Sequence, residues 1–145
     1  MLKLKLLVLF ISIPLIVLAQ NQPWRVFKST RFLVYYQQAP EELLSQLTQK
    51  AEEYYNEITD EFGFNRFDFW TWDNRARIYL FDTQEEYAKA NSNLDWSAGL
   101  VTVNNKSIQS YVTAPGLKDN ILAHEIAHII FREMVGFNNP AVPLW

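Results

Sequence analysis

The pentapeptide His124-Glu125-Ile126-Ala127-His128 holds both histidines of a 145-residue chain that has no cysteine. On an α-helix four residues turn the chain by about 400° and raise it about 6 Å, so the two imidazoles share one face, one turn apart. Ring nitrogens at that spacing can grip one zinc ion while the backbone keeps its hydrogen bonds. Glu125 is rotated about 100° from His124, too far round to compete as a ligand but near enough to reach a water on the metal. Zinc lowers the pKa of such a water to about 7, and a carboxylate beside it can take its proton and pass it to a leaving amine. His124 and His128 as metal ligands and Glu125 as catalytic base thus point to zinc-assisted hydrolysis of a peptide bond. The competing reading is a core helix with two hydrogen-bonded histidines and a glutamate. Three such polar groups would be costly in so apolar a helix.

Placing this trio requires a helix, and the residues around it supply one. Ile121, Leu122, Ile126, Ile129, Ile130 and Phe131 are uncharged, and Ala123 and Ala127 are small where the helix must approach neighbours. The pattern predicts a helix over about 117–135, stopped by Gly136. Upstream, residues 24–38 read as one extended stretch, with Phe32, Val34 and Tyr36 alternating with Leu33 and Tyr35. Pro40-Glu41-Glu42 opens a long helix that runs to Phe62 and ends at Gly63. Residues 64–74 are aromatic and irregular, and 75–81 read as a strand. Asp82-Thr83 caps a short helix over 84–91. The runs 100–103 and 108–112, separated by Asn104-Asn105-Lys106-Ser107, form a hairpin. The order β-α-β-α-β-β-α predicts an α+β domain, with a mixed or antiparallel sheet packed against helices that include the histidine helix. Tyr54-Tyr55 and the aromatic cluster over 62–72 are expected to pack core and loops, not to form a carbohydrate platform.

Composition narrows the rest. With no cysteine, disulfides, thiolate zinc sites, iron–sulfur clusters and thiol nucleophiles are excluded. A net charge of −3 and a pI of about 5.4, with no basic run, argue against nucleic acid as a partner. Lys3 and Lys5, the apolar run over 6–18 and Val17-Leu18-Ala19 predict a signal peptide over 1–19. The apolar run is short for a bilayer span of roughly 20 residues, and Pro14 interrupts it. An exported protein is therefore expected, periplasmic or secreted, touching membrane only through that segment if it is not cleaved. Nothing in the composition specifies an oligomeric state.

The histidine pattern in its apolar helix resembles the zincin metallopeptidases. The wider chain resembles bacterial peptidase MA-like proteins of the gluzincin type. The matching pieces are Phe32-Leu33-Val34-Tyr35-Tyr36, the Tyr-rich helix ending at Phe62-Gly63, Arg77-Ile78-Tyr79-Leu80-Phe81 with Glu85-Glu86-Tyr87, and Trp96-Ser97-Ala98-Gly99 before Ala114-Pro115-Gly116. The resemblance implies zinc as cofactor and a peptide or protein as substrate. It also implies that residues 20–145 are the N-terminal part of a zincin-like domain. Its third zinc ligand is a glutamate in a segment reading roughly proline, any, tryptophan, apolar, any, glutamate, glycine. Pro143-Leu144-Trp145 matches the first three positions, so the third ligand is expected past Trp145 and not in this chain. The chain alone is then expected to bind zinc weakly and turn over little. Glu133, five residues past His128, lies about 140° off the histidine face. The resemblance also implies that the strand over 99–103, with Gly99, Leu100 and Val101, pairs with an extended substrate. Gly99 would allow close backbone approach, or is a plain turn glycine. No oxyanion-stabilising residue stands out. Two other classes compete with the peptidase: a non-catalytic exported binding domain on the same scaffold, and a zinc hydrolase acting on non-peptide substrates.

Overall fold

The computed structural model describes residues 23–63, 70–92, 97–113 and 119–142. The expected signal segment, the aromatic stretch over 64–69, Trp96, Ala114-Pro115-Gly116 and Pro143-Leu144-Trp145 lie outside the described residues. The architecture is α+β. Five strands, β1 (Arg25–Lys28), β2 (Phe32–Tyr36), β3 (Ala76–Phe81), β4 (Gly99–Thr102) and β5 (Ser107–Tyr111), form one sheet in the order β1-β2-β3-β5-β4. β2 and β3 are parallel in the register Val34↔Ile78, and β3 and β5 are parallel in the register Ile78↔Ile108. The outer pairs, β1 with β2 and β4 with β5, are antiparallel, so the sheet is mixed.

The extended stretch expected over 24–38 is two strands, not one. Ser29 turns the chain: its amide donates to the Phe32 carbonyl at 2.9 Å, and its hydroxyl oxygen accepts from the Phe32 amide at 3.2 Å. Glu52, from the helix beneath, holds this turn. Its carboxylate accepts from the Ser29 hydroxyl at 2.8 Å, the Arg31 amide at 2.7 Å and the Arg31 guanidinium at 2.6 Å. The Arg31 guanidinium in turn lies over the Tyr55 ring, 4.5 Å from its centroid. The turn therefore depends on a partner distant in sequence.

Among the described residues three α-helices accompany the sheet: α1 (Glu41–Glu61), α2 (Gln84–Ala90) and α3 (Asp119–Val135). α1 ends where expected, Gly63 taking the left-handed φ of 60° that glycine adopts freely. Gly136 does the same after α3 with φ 92°. Thr83 caps α2 by accepting the Glu86 amide at 3.2 Å. The hairpin is found one residue earlier than expected. Its 3-10 turn, Val103–Asn105, closes on Lys106 in the left-handed region.

The core follows from strand and helix periodicity. Phe32, Val34 and Tyr36 of β2 and Ala76, Ile78 and Leu80 of β3 face the same side as Ile108 of β5. Against them pack Leu44, Leu47, Ala51 and Tyr55 of α1 and Leu122, Ile126, Ile129 and Ile130 of α3, all buried. Each fully buried aliphatic side chain contributes about 1.5–3 kcal/mol of hydrophobic stabilisation. That burial pins α3 to the sheet. α2 sits on the other register of the strands, where Tyr87 meets Phe81 and Tyr111 with ring centroids 5.9 and 5.3 Å apart. The expected aromatic packing holds for Tyr55 and Trp70, both in the core. Trp72 departs from it: the residue begins a 3-10 turn with φ 53° and is 83% exposed. Among the described residues no helix is long and apolar enough to cross a membrane.

Candidate metal and hydrolytic site

α3 carries its apolar stripe into the core, and this rotation sets the histidines on the flank. His124 is exposed and His128 half-buried. Their rings meet edge to face, with centroids 4.4 Å apart and planes at 86°. The two Nε2 atoms converge to 2.9 Å. Nitrogens sharing a tetrahedral zinc at about 2.0–2.1 Å stand about 3.3 Å apart, so a small opening of this pair accommodates a metal ion. Arg132 continues the stripe one turn further on, buried, with its guanidinium donating to the Val142 carbonyl at 3.5 Å. Burial above all lowers the His128 pKa, and the positive charges of His124 and Arg132 push the same way. Each influence favours the neutral imidazole, the form that coordinates metal.

Glu125 points elsewhere. Its side chain is buried at 8% exposure, against the beginning of β4. Burial raises its pKa, and the neighbouring His124 charge draws it part of the way back. A buried carboxylate with a raised proton affinity is suited to accept a proton and give it up again.

Around this carboxylate lies a polar rim that sequence reasoning did not single out. Ser110 donates its hydroxyl to the Ala98 carbonyl at 2.6 Å, and Ser97 donates its own to the Gly99 carbonyl. Tyr87 of α2 is fully buried, and its hydroxyl is the one buried side-chain polar atom among the described residues with no hydrogen-bond partner. Burial raises its pKa most. The nearby Ser97 hydroxyl works against that, and the charges of Glu125 and Tyr111 work with it. The sequence signals for Tyr87 are its place in the Glu85-Glu86-Tyr87 piece of the resemblance and its position as the large side chain of a short capped helix.

The remaining expected site residues fall into place unequally. Gly99, Leu100 and Val101 lie on β4, the edge strand of the sheet on the α3 side. Glu133 is drawn away from the histidines. It accepts the Trp70 indole N–H at 2.9 Å and pairs with Lys106 at 3.4 Å, while the Lys106 ammonium also donates to the Asn74 carbonyl at 3.1 Å. Among the described residues no third histidine or carboxylate joins His124 and His128 to make a cluster of three. Compared with models of protein families and with curated proteins, the chain matches none.

Proposed function

We propose that this protein is an exported, zinc-dependent peptidase in which His124 and His128 hold the metal and Glu125 moves the proton. The observation that carries this reading is the convergence of the two Nε2 atoms to 2.9 Å on one helix face, with the buried residue Glu125 directly after His124. The donor set suits the metal: two neutral imidazoles are borderline ligands that zinc prefers, and no thiolate competes. When bound, zinc polarises a scissile carbonyl and acidifies the attacking water. Glu125 takes the proton of that water onto its carboxylate and returns it to the departing amine nitrogen. The low solvation of its side chain keeps the carboxylate reactive as a base. β4 lies at the sheet edge beside Glu125, and a free edge can pair with an extended peptide through residues 99–101. An edge that recognises main-chain amides favours peptide over non-peptide substrates.

The test uses the full-length gene product loaded with zinc. Hydrolysis of an unstructured protein substrate should fall at least about 100-fold in Glu125→Gln while the metal content holds. His124→Ala should lose metal and activity together. Hydrolysis that survives Glu125→Gln would overturn the mechanism. Metal uptake without any Glu125-dependent hydrolysis would favour the non-catalytic binding domain.

A further inference from the structure

Gly63 and Gly136 are needed for their backbone conformation; Gly99 is needed for space. A Cβ placed on Gly99 would lie 2.7 Å from Ile121 Cγ2, 3.0 Å from Glu125 Oε1 and 3.5 Å from Glu125 Cγ. Carbon atoms in favourable contact stand about 3.5–4.0 Å apart, so the first of these is a hard overlap and the second a tight one. The strand cannot retreat to make room. Ser97 holds the Gly99 carbonyl, Ser110 holds the Ala98 carbonyl at 2.6 Å, and Gly99 pairs with Ser110 in the sheet register. α3 cannot retreat either, because Leu122 and Ile126, flanking Glu125 on the helix, are fixed in the core. Between two fixed backbones, the atoms that must give are the Ile121 methyl group and the Glu125 carboxylate.

The geometry points to Gly99 as a positioning residue for Glu125: its bare α-carbon is the floor of the seat in which the carboxylate lies. Its catalytic consequence rests on the peptidase reading; the seat itself does not. Gly99 then serves the reaction through Glu125, in addition to any main-chain pairing with substrate. The absence of a side chain at Gly99 lets the carboxylate lie close to β4, and a methyl group there would push it a few tenths of an ångström off that wall. A general base shifted off its working position loses part of its effect.

Two variants separate the seat from helix packing. Ile121→Ala removes the atom that overlaps most. Gly99→Ala made on that background leaves only the tight approach to Glu125. In the 145-residue chain labelled with 13C at glutamate side-chain carboxyls, the Glu125 resonance is identified by its loss in Glu125→Gln. We expect it to move between Ile121→Ala and the double variant while the other glutamate resonances and Tm hold. In the full-length gene product, kcat should fall about threefold or more between the same two variants, with KM and zinc content unchanged. A resonance that does not move overturns the seat, whatever the activity. A resonance that moves while kcat stays constant overturns the positioning role. If the native product shows no Glu125-dependent hydrolysis, the peptidase reading fails, and the resonance alone decides the seat.

Discussion

At Glu125 two demands conflict, since folding prefers this side chain neutral and proton transfer requires it charged. Its pKa is raised above 4.5, burial outweighing the attraction of His124. A raised carboxylate stabilises the fold fully below the unfolded value and loses that contribution as pH rises through the folded one. In metal-free protein, Glu125→Gln should therefore melt at a similar temperature to the native chain near pH 4 and at a higher one at pH 7. A thermal melt of both proteins across that range checks it; equal Tm values at pH 7 would contradict the burial argument. His128 has the opposite sign. Its lowered pKa leaves stability intact above 6.5 and erodes it as pH falls through the folded value. The histidine pair was legible in the sequence because helical geometry alone puts residues four apart on one face. The seat of Glu125 was not. Gly99 is far from Glu125 in sequence, and only the approach of β4 to α3 brings it to the carboxylate.

Among elements, those with local signals were the readable ones. Pro40 with two acids opened α1, Thr83 capped α2, and Gly63 and Gly136 marked helix ends, each a choice a few residues make among themselves. The turn between β1 and β2 has no such signature. Ser29-Thr30-Arg31 sits in a β-branched and aromatic run, and the bend is fixed by Glu52 reaching up from α1. Parallel pairing of β2 with β3 and of β3 with β5 is equally invisible locally, since it is decided by which faces the helices cover. Glu52→Ala would strip three hydrogen bonds from the turn, one of them to a guanidinium. The expected loss is about 1–3 kcal/mol of unfolding free energy in urea. The hairpin amides of residues 29 and 31 should exchange faster before the rest of the sheet does. A variant as stable as the native chain would show that the turn holds without Glu52.

For the whole molecule, metal binding and folding are linked through α3, because the two imidazoles converge only when that helix is packed. A ligand that binds the folded state alone adds about 2.7 kcal/mol at a hundredfold excess over its Kd. Zinc should accordingly raise the Tm of the 145-residue chain in a concentration-dependent way. The rise should vanish in His128→Ala, and the concentration needed should be high for a two-histidine chelate. A zinc-independent Tm in the native chain would argue against any metal at this pair. The order of the strands has a kinetic consequence. Both parallel pairings close long crossovers, one through α1 and the other across α2 and the hairpin, and such loops cost chain entropy before their contacts form. A helix the length of α3 is marginal in isolation, so it has little to hold it until that sheet exists to receive Leu122, Ile126, Ile129 and Ile130. During synthesis the helix face that carries His124 and His128 is thus among the last features to mature, and a partly folded chain passes through its early life with those two side chains not yet held together.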